Sequence, residues 1–264
     1  MLPRISRVEC HAADYLLFST SDLISNTLFK TGKWEEHLLE ISKFFIAGID
    51  KPLILDIGAN LGAYSIPLAK IIQNVGGSIL AYEAQRIVYY QLCANVLLNR
   101  LDNYYAIYSA VGESKGEVEM PEIDYENNSN VGAFSMDKNY REFQGVESSM
   151  KNITTKVPLI NLDTLILERS PALIKIDVEG YELAVLKGAV ELLDKSNFPP
   201  LLFEAWSFDW FKDEKKELLA FVQRLGYKIT TFGTDDYIAQ HPNFPVYVEF
   251  IVNDDGMINM SRVK

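Results

Sequence analysis

The chain has 264 residues, 48% of them hydrophobic, and a formal charge of −11 from 25 Lys and Arg against 36 Asp and Glu. This length and apolar content predict a single globular domain over residues 1–264, and the negative charge disfavours a nucleic acid partner. Cys10 and Cys93 form no disulfide pattern, which is typical of a reducing compartment. Without a leader pattern or an apolar run of bilayer length, the sequence predicts a cytoplasmic protein that does not span a membrane.

Apolar and amphipathic segments alternate along the chain. The segment "GKWEEHLLEISKFFIAG" has Trp34, Leu38, Ile41 and Phe45 on one helical stripe and ends a helical lead-in over residues 1–50. Five strand candidates follow, separated by helical patterns: "LILDI", "SILAYE", "NYYAIYSAV", "ALIKIDV" and "PLLFEAW". This order predicts an α/β fold with parallel strands joined by helical crossovers.

Later segments complete the sheet and add one irregular stretch. The segments "YELAVLKGAVELL" and "KDEKKELLAFVQRLG" each have the period of a helix. The segments "YKITTFG" and "VYVEFIVN" predict an antiparallel pair that closes the edge of the sheet. Residues 120–152 are polar and lack a sustained period, which predicts an insertion or lid.

The segment "LILDIGANLGAYS" leads from a buried strand through Asp56 into a glycine-spaced turn. Gly58 permits a tight turn, Asn60 tolerates a positive φ, and Gly62 allows close approach of a ligand or of the next helix. A dinucleotide fingerprint would have glycine in place of Asn60 and Ala63, and the Asp56 carboxylate would repel a pyrophosphate. The same carboxylate suits the cationic amino-acid end of S-adenosylmethionine. We therefore predict that Asp56, Gly58, Asn60 and Gly62 bind this cofactor.

Carboxylates also end three later strand candidates. Glu83 ends the second, where an acid can accept the hydroxyls of a ribose; an exposed acid at a helix start is the structural alternative. Asp177 and Glu179 end the fourth, two residues apart and so on one side of an extended chain, and Glu204 ends the fifth. Charges at the ends of buried strands need a partner or a function. Lys175, on the same strand as Asp177, is the alternative explanation, as an ion-pair partner.

In this order and spacing, "LDIGANLGAYS", "AYEA", "LIKIDVEGYELAVLKGA" and "PPLLFE" closely resemble the FkbM-type methyltransferases, a branch of the class I S-adenosylmethionine-dependent enzymes. The resemblance extends to "GKWEE" and "NVGAF" and covers about residues 32–206, although Ala84 replaces the usual proline of the second motif. It implies a Rossmann-like sheet of seven strands in the order 3-2-1-4-5-7-6, with strand seven antiparallel and helices on both faces. It also implies S-adenosylmethionine as methyl donor, S-adenosylhomocysteine as product, and transfer usually to a hydroxyl oxygen.

The expected acceptor is a hydroxyl of a sugar, a glycolipid or a secondary metabolite. The motif Asn-Pro-Pro-Tyr, which is typical of enzymes that methylate planar nitrogens, is replaced by "DVEG" after the fourth strand. A hydroxyl must lose a proton as it reacts, so Asp177, Glu179 and Glu204 are the predicted catalytic residues. They act either as a carboxylate base, the version favoured here, or as ligands of a divalent metal ion.

Four further candidates lie outside the strand ends. Glu35, from the leading helix, is predicted to contact the cofactor. Asn130 and Phe134 in the insertion, and His241 near the closing strands, are predicted to contact the substrate. An ordinary surface loop and a solvated histidine are the structural alternatives for these substrate candidates.

Two other functions compete with methyl transfer. An NAD-dependent oxidoreductase is disfavoured by Asp56, by Asn60 and by the antiparallel pair predicted near the C-terminus. A non-catalytic module that only binds S-adenosylmethionine is disfavoured by the three retained acids, because a decayed site has no need to keep buried charge.

Overall fold

A computed structural model of the protein describes residues 2–19, 22–123, 135, 138–143, 150–252 and 258–264. Helices and strands alternate through most of these ranges. The helices are α1 (Leu23–Thr31), α2 (Glu36–Ile46), α3 (Ser65–Gln73), α4 (Arg86–Leu98), α5 (Lys138–Phe143), α6 (Glu182–Lys187), α7 (Val190–Lys195) and α8 (Lys212–Arg224). The strands are β1 (Ile5–Glu9), β2 (Asp14–Phe18), β3 (Leu53–Ile57), β4 (Ser78–Glu83), β5 (Tyr104–Tyr108), β6 (Ala110–Val111), β7 (Gly116–Ile123), β8 (Met150–Ile160), β9 (Pro171–Ile176), β10 (Leu201–Glu204), β11 (Lys228–Phe232), β12 (Asp236–Gln240), β13 (Val248–Val252) and β14 (Ile258–Arg262).

Seven of the strands form one central sheet in the order β11-β12-β10-β9-β3-β4-β5. Numbered one to seven along the chain, they are β3, β4, β5, β9, β10, β11 and β12, so the order from the β5 edge is 3-2-1-4-5-7-6. The inner pairs are parallel, and β12 is antiparallel to both β10 and β11. The predicted fold class, with its strand order and its antiparallel seventh strand, is confirmed.

Side chains alternate between the two faces of this sheet, and each face has its own apolar core. On one face, Ile54 of β3 lies in a cluster with Phe45 of α2 and Ile66 of α3. On the other face, Leu55 lies in a cluster with Val222 of α8. All five residues are 0% exposed, and complete burial of such a side chain contributes about 1.5–3 kcal/mol. Helices therefore cover both faces of the sheet, as predicted.

One predicted helix is broken in two. The pattern in "YELAVLKGAVELL" predicts a continuous helix, but α6 ends at Lys187 and α7 begins at Val190. A Cβ on Gly188 would lie 2.1 Å from the carbonyl oxygen of Gly112. The chain at Gly188 is therefore pressed against the backbone that follows β6, an approach that the local sequence pattern does not record.

The predicted pairing of the C-terminal strands is wrong. The partner of "YKITTFG" (β11) is β12, and "VYVEFIVN" contributes β13, which pairs with β14 in a separate two-stranded sheet. The turn between β11 and β12 contains Gly233 at φ 73°, and a short loop of this kind closes at the least entropic cost. Because β12 lies between β10 and β11, most of its residues are buried. It therefore lacks the polar alternation that made "VYVEFIVN" conspicuous.

The lead-in and the insertion differ in part from their predicted form. The lead-in over 1–50 opens with the hairpin β1–β2 and becomes helical only at α1 and α2. The insertion over 120–152 begins within β7 and ends within β8, which form a small sheet with β6. In the part of the chain that the structure describes, no helix combines the length and apolarity needed to cross a membrane.

Candidate active site

A cavity of about 500 Å³ opens at the carboxyl ends of the central strands. Residues from β3, β4, β9 and β10 line it, together with residues of α1 and of the turn before α2. The chain leaves β3 toward β4 and β5 and returns on the other side at β9, so the cavity lies where the strand order reverses. Open α/β sheets bind their ligands at such a point.

The turn between β3 and α3 forms one wall of this cavity. Gly58 and Asn60 have φ values of 85° and 52°, in the left-handed region that glycine and asparagine tolerate best. A Cβ on Gly58 would lie 1.8 Å from the carbonyl oxygen of Asp177. Glycine at position 58 therefore lets the turn contact the loop that carries the predicted catalytic acids.

Gly62 serves packing rather than the cavity, which corrects its predicted place in the cofactor site. It does not line the cavity. At its φ of 87°, a Cβ would lie 2.6 Å from Ile66 and 2.8 Å from Leu92. The sequence allowed a close approach of either a ligand or the next helix at Gly62. In the structure, side chains of α3 and α4 approach it.

Glu83 ends β4 in the cavity wall and is 6% exposed. Its Oε2 accepts a hydrogen bond from the Asn60 backbone N–H at 2.9 Å, and its Oε1 accepts one from the Gln85 N–H at 2.7 Å. Burial raises the pKa of Glu83 to about 7, although these two backbone hydrogen bonds oppose the rise. The carboxylate is thereby fixed beside the turn, as a ribose contact requires; that contact stays a prediction.

Asp56 lies beneath the cavity wall rather than in it. It is 1% exposed, and both carboxylate oxygens lack a hydrogen-bond partner among the described residues. Burial raises the pKa of Asp56, while Lys175 and the Ser65 hydroxyl oppose the rise. Asp56 pairs in register with Lys175 of β9, and Lys175 does line the cavity. Asp56 is therefore separated from the cavity by its wall, and its predicted role in cofactor binding stays a prediction.

Lys175 and Asp177 form a salt bridge in the cavity wall. The Lys175 Nζ lies 2.7 Å from Asp177 Oδ2, with the lysine 7% and the aspartate 33% exposed at their side chains. Burial lowers the pKa of Lys175, but Asp177, Glu35 and Asp56 outweigh this effect and raise it above its ordinary value. The ion pair that the sequence offered as an alternative is thus present, and it holds Asp177 at the cavity.

Glu179 and Glu204 face the same cavity as Asp177. Burial, then Asp177 and Glu204, raises the pKa of Glu179 well above its ordinary value, and a hydrogen bond from Tyr140 opposes this. Burial, with Asp177 among the neighbouring acids, raises the pKa of Glu204 to about 9, although Trp206 Nε1 donates to it at 3.1 Å. The structure therefore brings the three predicted catalytic acids together at one cavity, and burial favours the protonated form of Glu179 and Glu204.

Two further acids belong to this region and escaped the sequence reasoning. Glu182 is 2% exposed, and its Oε1 accepts hydrogen bonds from the N–H groups of Val178 and Gly180 at 3.1 and 3.2 Å, so it fixes the loop after β9. Asp236 lines the cavity and pairs in register with Glu204. Glu182 is the last residue of "DVEGYE", so its position close to Asp177 in the sequence could have identified it. Asp236 begins β12, a strand that the sequence pattern did not predict.

The four remaining candidates are Glu35, His241, Asn130 and Phe134. Glu35 lines the cavity at the start of α2. His241 follows β12, which runs antiparallel, so it lies at the amino ends of the parallel strands, stacked on Phe198 at 4.3 Å. This position corrects its predicted contact with the substrate. Asn130 and Phe134 lie outside the described residues.

The arrangement of these residues can be compared with the two predicted ligands, a divalent metal ion and S-adenosylmethionine. Within the described ranges, no group of three or more His, Cys, Asp or Glu is arranged to hold a metal ion. S-adenosylmethionine fits the residues present: the Gly58 turn is open to a close backbone approach, Glu83 is a fixed acceptor for a ribose, and Glu35 has a buried oxygen, Oε2, without a partner.

Comparisons with known proteins agree with this geometry. Residues 56–229 match the family model of the methyltransferase FkbM domain, whereas no curated protein sequence matches the chain. Among solved structures, the methyltransferase FkbM from Methylobacillus flagellatus KT has 19% identity and a TM-score of 0.48 over 82% of this chain and 52% of that chain. This chain therefore spans about half of that protein. Cofactor-bound Rv0187 from MTB has 14% identity and a TM-score of 0.48, over 78% of this chain and 80% of its own. The tRNA (uracil-54, C5)-methyltransferase of Pyrococcus abyssi has 13% identity and a TM-score of 0.46, over 89% of this chain and 43% of its own.

Proposed function

The chain belongs to the FkbM family of S-adenosylmethionine-dependent methyltransferases, and from this premise we propose that it methylates a hydroxyl oxygen of a sugar, a glycolipid or a secondary metabolite. When bound, the cofactor would supply the methyl group from its sulfonium and would leave as the neutral thioether S-adenosylhomocysteine. In this proposal Gly58, Asn60, Glu83 and Glu35 contact the cofactor. The acids at the ends of β9 and β10 face the acceptor.

One observation carries the proposal. The hydrogen bond from the Asn60 N–H to Glu83 joins the turn after β3 to the end of β4, and Gly58 presses the same turn against the backbone of Asp177. Three strand ends are thereby fixed around one cavity. This arrangement supports a site that holds a ribose and an amino-acid chain on one side and an acceptor on the other.

We assign the proton of the acceptor hydroxyl to Asp177. The Asp177 carboxylate would accept the hydroxyl proton as the acceptor oxygen receives the methyl group, so that the oxygen ends as a neutral ether. Asp177 suits this role because the Lys175 ammonium, 2.7 Å from its Oδ2, holds its carboxylate at the cavity, where the side chain is 33% exposed. The raised pKa values of Glu179 and Glu204 favour their protonated forms, which can donate hydrogen bonds to the acceptor.

The first experiment tests cofactor identity and acceptor class. We expect calorimetry to detect binding of S-adenosylmethionine and S-adenosylhomocysteine but not of NAD. We then expect mass spectrometry to detect a cofactor-dependent gain of one methylene group on a member of a panel of sugars, glycolipids and hydroxylated metabolites. Tight binding of NAD without any response to S-adenosylmethionine would contradict the proposal.

The second experiment tests the base. Asp177→Asn is expected to lower turnover by about two to four orders of magnitude, the usual contribution of general base catalysis, and to leave cofactor affinity nearly unchanged. Asp194→Asn, at an exposed residue of α7, is the control for loss of one negative charge. Activity that disappears with a chelator and returns with a divalent ion would replace the base by a metal held by Asp177, Glu179 and Glu204.

A further inference from the structure

We infer that Glu35 makes the site select the positively charged sulfonium form of the cofactor over its neutral thioether product. This inference rests on the proposed function and adds a specificity role to it. Glu35 immediately precedes α2 and lines the cavity together with Gly58 and Asp177. The two ligands differ by one methyl group and one positive charge, so a fixed negative charge in the wall favours one of them.

The backbone of Glu35 has an unusual conformation. Its φ and ψ are both 42°, which is left-handed for a residue with a side chain. The Glu35 side chain does not stabilise the start of α2, because it makes no capping hydrogen bond to that helix. Glycine or asparagine would adopt the conformation more easily. A strained residue that does not stabilise its own helix is a reason to look for a functional role.

The carboxylate of Glu35 is directed inward. Its Oε2 is buried and has no hydrogen-bond partner among the described residues, an arrangement that costs stability unless something compensates for it. Since Glu35 lines the cavity, a cationic ligand is the available compensation. The neighbouring Glu36 differs in each of these respects, because it is exposed and bonded to Lys33 at 2.9 Å.

The groups around Glu35 leave its charge uncompensated. Lys175 and Asp177 face it from β9, Asp56 from β3 and Asp236 from β12. The Lys175 ammonium is already bonded to Asp177. Acids therefore outnumber ammonium groups here among the described residues, and attraction of an added positive charge is strong where water is excluded. Burial raises the pKa of Glu35 to about 7; Lys175 opposes this rise, and the three aspartates add to it.

The test compares ligand affinities by calorimetry at about pH 8, where Glu35 is mostly ionised. Glu35→Gln keeps the shape of the side chain and removes its charge. We expect this variant to bind S-adenosylmethionine and sinefungin, which has an ammonium in place of the sulfonium methyl, about tenfold more weakly, with much less change for S-adenosylhomocysteine. Glu36→Gln removes the same formal charge from an exposed position and is expected to change none of the three affinities.

Two results separate failure of this inference from failure of the proposed function. If the unmodified protein binds neither S-adenosylmethionine nor its product, the proposed function is wrong. If Glu35→Gln weakens both ligands equally, or neither, the selectivity assigned to Glu35 is wrong. The melting temperature of the ligand-free variant is a further check: we expect it to stay equal or to rise, because a buried, unpartnered charge is removed. A fall in melting temperature with unchanged selectivity would give Glu35 a structural role only.

The pH dependence provides an independent measurement. As pH rises through about 7, Glu35 loses its proton, so the affinity ratio of S-adenosylmethionine to S-adenosylhomocysteine is expected to increase in the unmodified protein. The ratio is expected to stay flat in Glu35→Gln. Glu83, Glu204 and Asp236 line the same cavity and also have raised pKa values. A slope that persists in Glu35→Gln would assign the effect to them and overturn the inference.

Discussion

At the scale of single residues, the site depends on backbone contacts that only particular side chains permit. Gly58 is the clearest case, because the carbonyl oxygen of Asp177 occupies the space that any Cβ at position 58 would need. The turn after β3 and the loop after β9, which we propose to hold the cofactor and the base, are therefore packed together. A change in one of them must displace the other.

Gly58→Ala is expected to lower the free energy of unfolding by about 2–4 kcal/mol, because alanine is strained at a positive φ and its methyl group displaces the backbone of Asp177. We also expect it to abolish cofactor binding. Gly116→Ala is the matched control, because no atom lies within 4 Å of its added Cβ. Denaturant unfolding and calorimetry measure the two effects. Normal binding by a folded Gly58→Ala protein would show that this turn does not hold the cofactor.

Glu83 has a structural role, as acceptor of two backbone hydrogen bonds, beside the cofactor contact that we propose for it. In Glu83→Ala the Asn60 and Gln85 N–H groups lose their acceptor, and each unsatisfied buried donor costs about 1–3 kcal/mol. We expect cofactor affinity to fall by about 1–3 kcal/mol and stability to fall as well. Glu83→Gln keeps one acceptor oxygen and should recover most of the stability but not the affinity. Unchanged affinity in both variants would contradict the ribose assignment.

At the scale of elements, the break between α6 and α7 is a tertiary effect with a measurable consequence. Gly188→Ala places a methyl group 2.1 Å from the carbonyl oxygen of Gly112, so we expect a loss of about 1–3 kcal/mol in the free energy of unfolding. Gly112→Ala is the milder comparison, because its Cβ would lie 3.2 Å from the end of the Leu159 side chain. Equal melting temperatures for the two variants would contradict this explanation of the break.

The elements themselves were largely predictable because most of them carry a local signal. The apolar runs of β3, β4 and β9 record burial on both faces of a parallel sheet, and the stripe in α2 records one buried face. The strand β12 was missed because it is buried between β10 and β11 and therefore lacks the polar alternation of a half-buried strand. The alternation of β13 predicted a half-buried strand correctly but did not identify its partner, since register depends on the loop that connects two strands.

At the scale of the whole molecule, the buried acids determine how stability depends on pH. The pKa values of Glu35, Glu83 and Glu182 are each raised to about 7 from an ordinary value of 4.5. Between these two values the folded state binds more protons than the unfolded state, so the stability they contribute at low pH is lost as pH rises through about 7. Ionisation of these buried acids therefore lowers the free energy of unfolding of the ligand-free protein.

We therefore expect the free energy of unfolding of the ligand-free protein to fall between about pH 4.5 and about pH 7, by at most about 1.4 kcal/mol per pH unit for each acid. Urea unfolding across this interval measures the slope. Saturating S-adenosylmethionine should make the slope shallower if its positive charge stabilises the ionised form of Glu35. A stability that rises over this interval would contradict the assignment of these acids as buried and protonated.

The sequence by itself determined the class of the fold, the family and the strand ends that carry Gly58, Glu83, Asp177 and Glu204, because strand burial and turn geometry are local requirements written in neighbouring residues. Only the tertiary structure decided what each acid faces. It placed Asp56 beneath the cavity wall, paired Lys175 with Asp177, brought Asp236 of β12 to the cavity and placed His241 at the opposite end of the strands. The physical reason is that charge, burial and pKa depend on groups brought together from distant segments, and these distances are fixed by packing rather than by spacing along the chain.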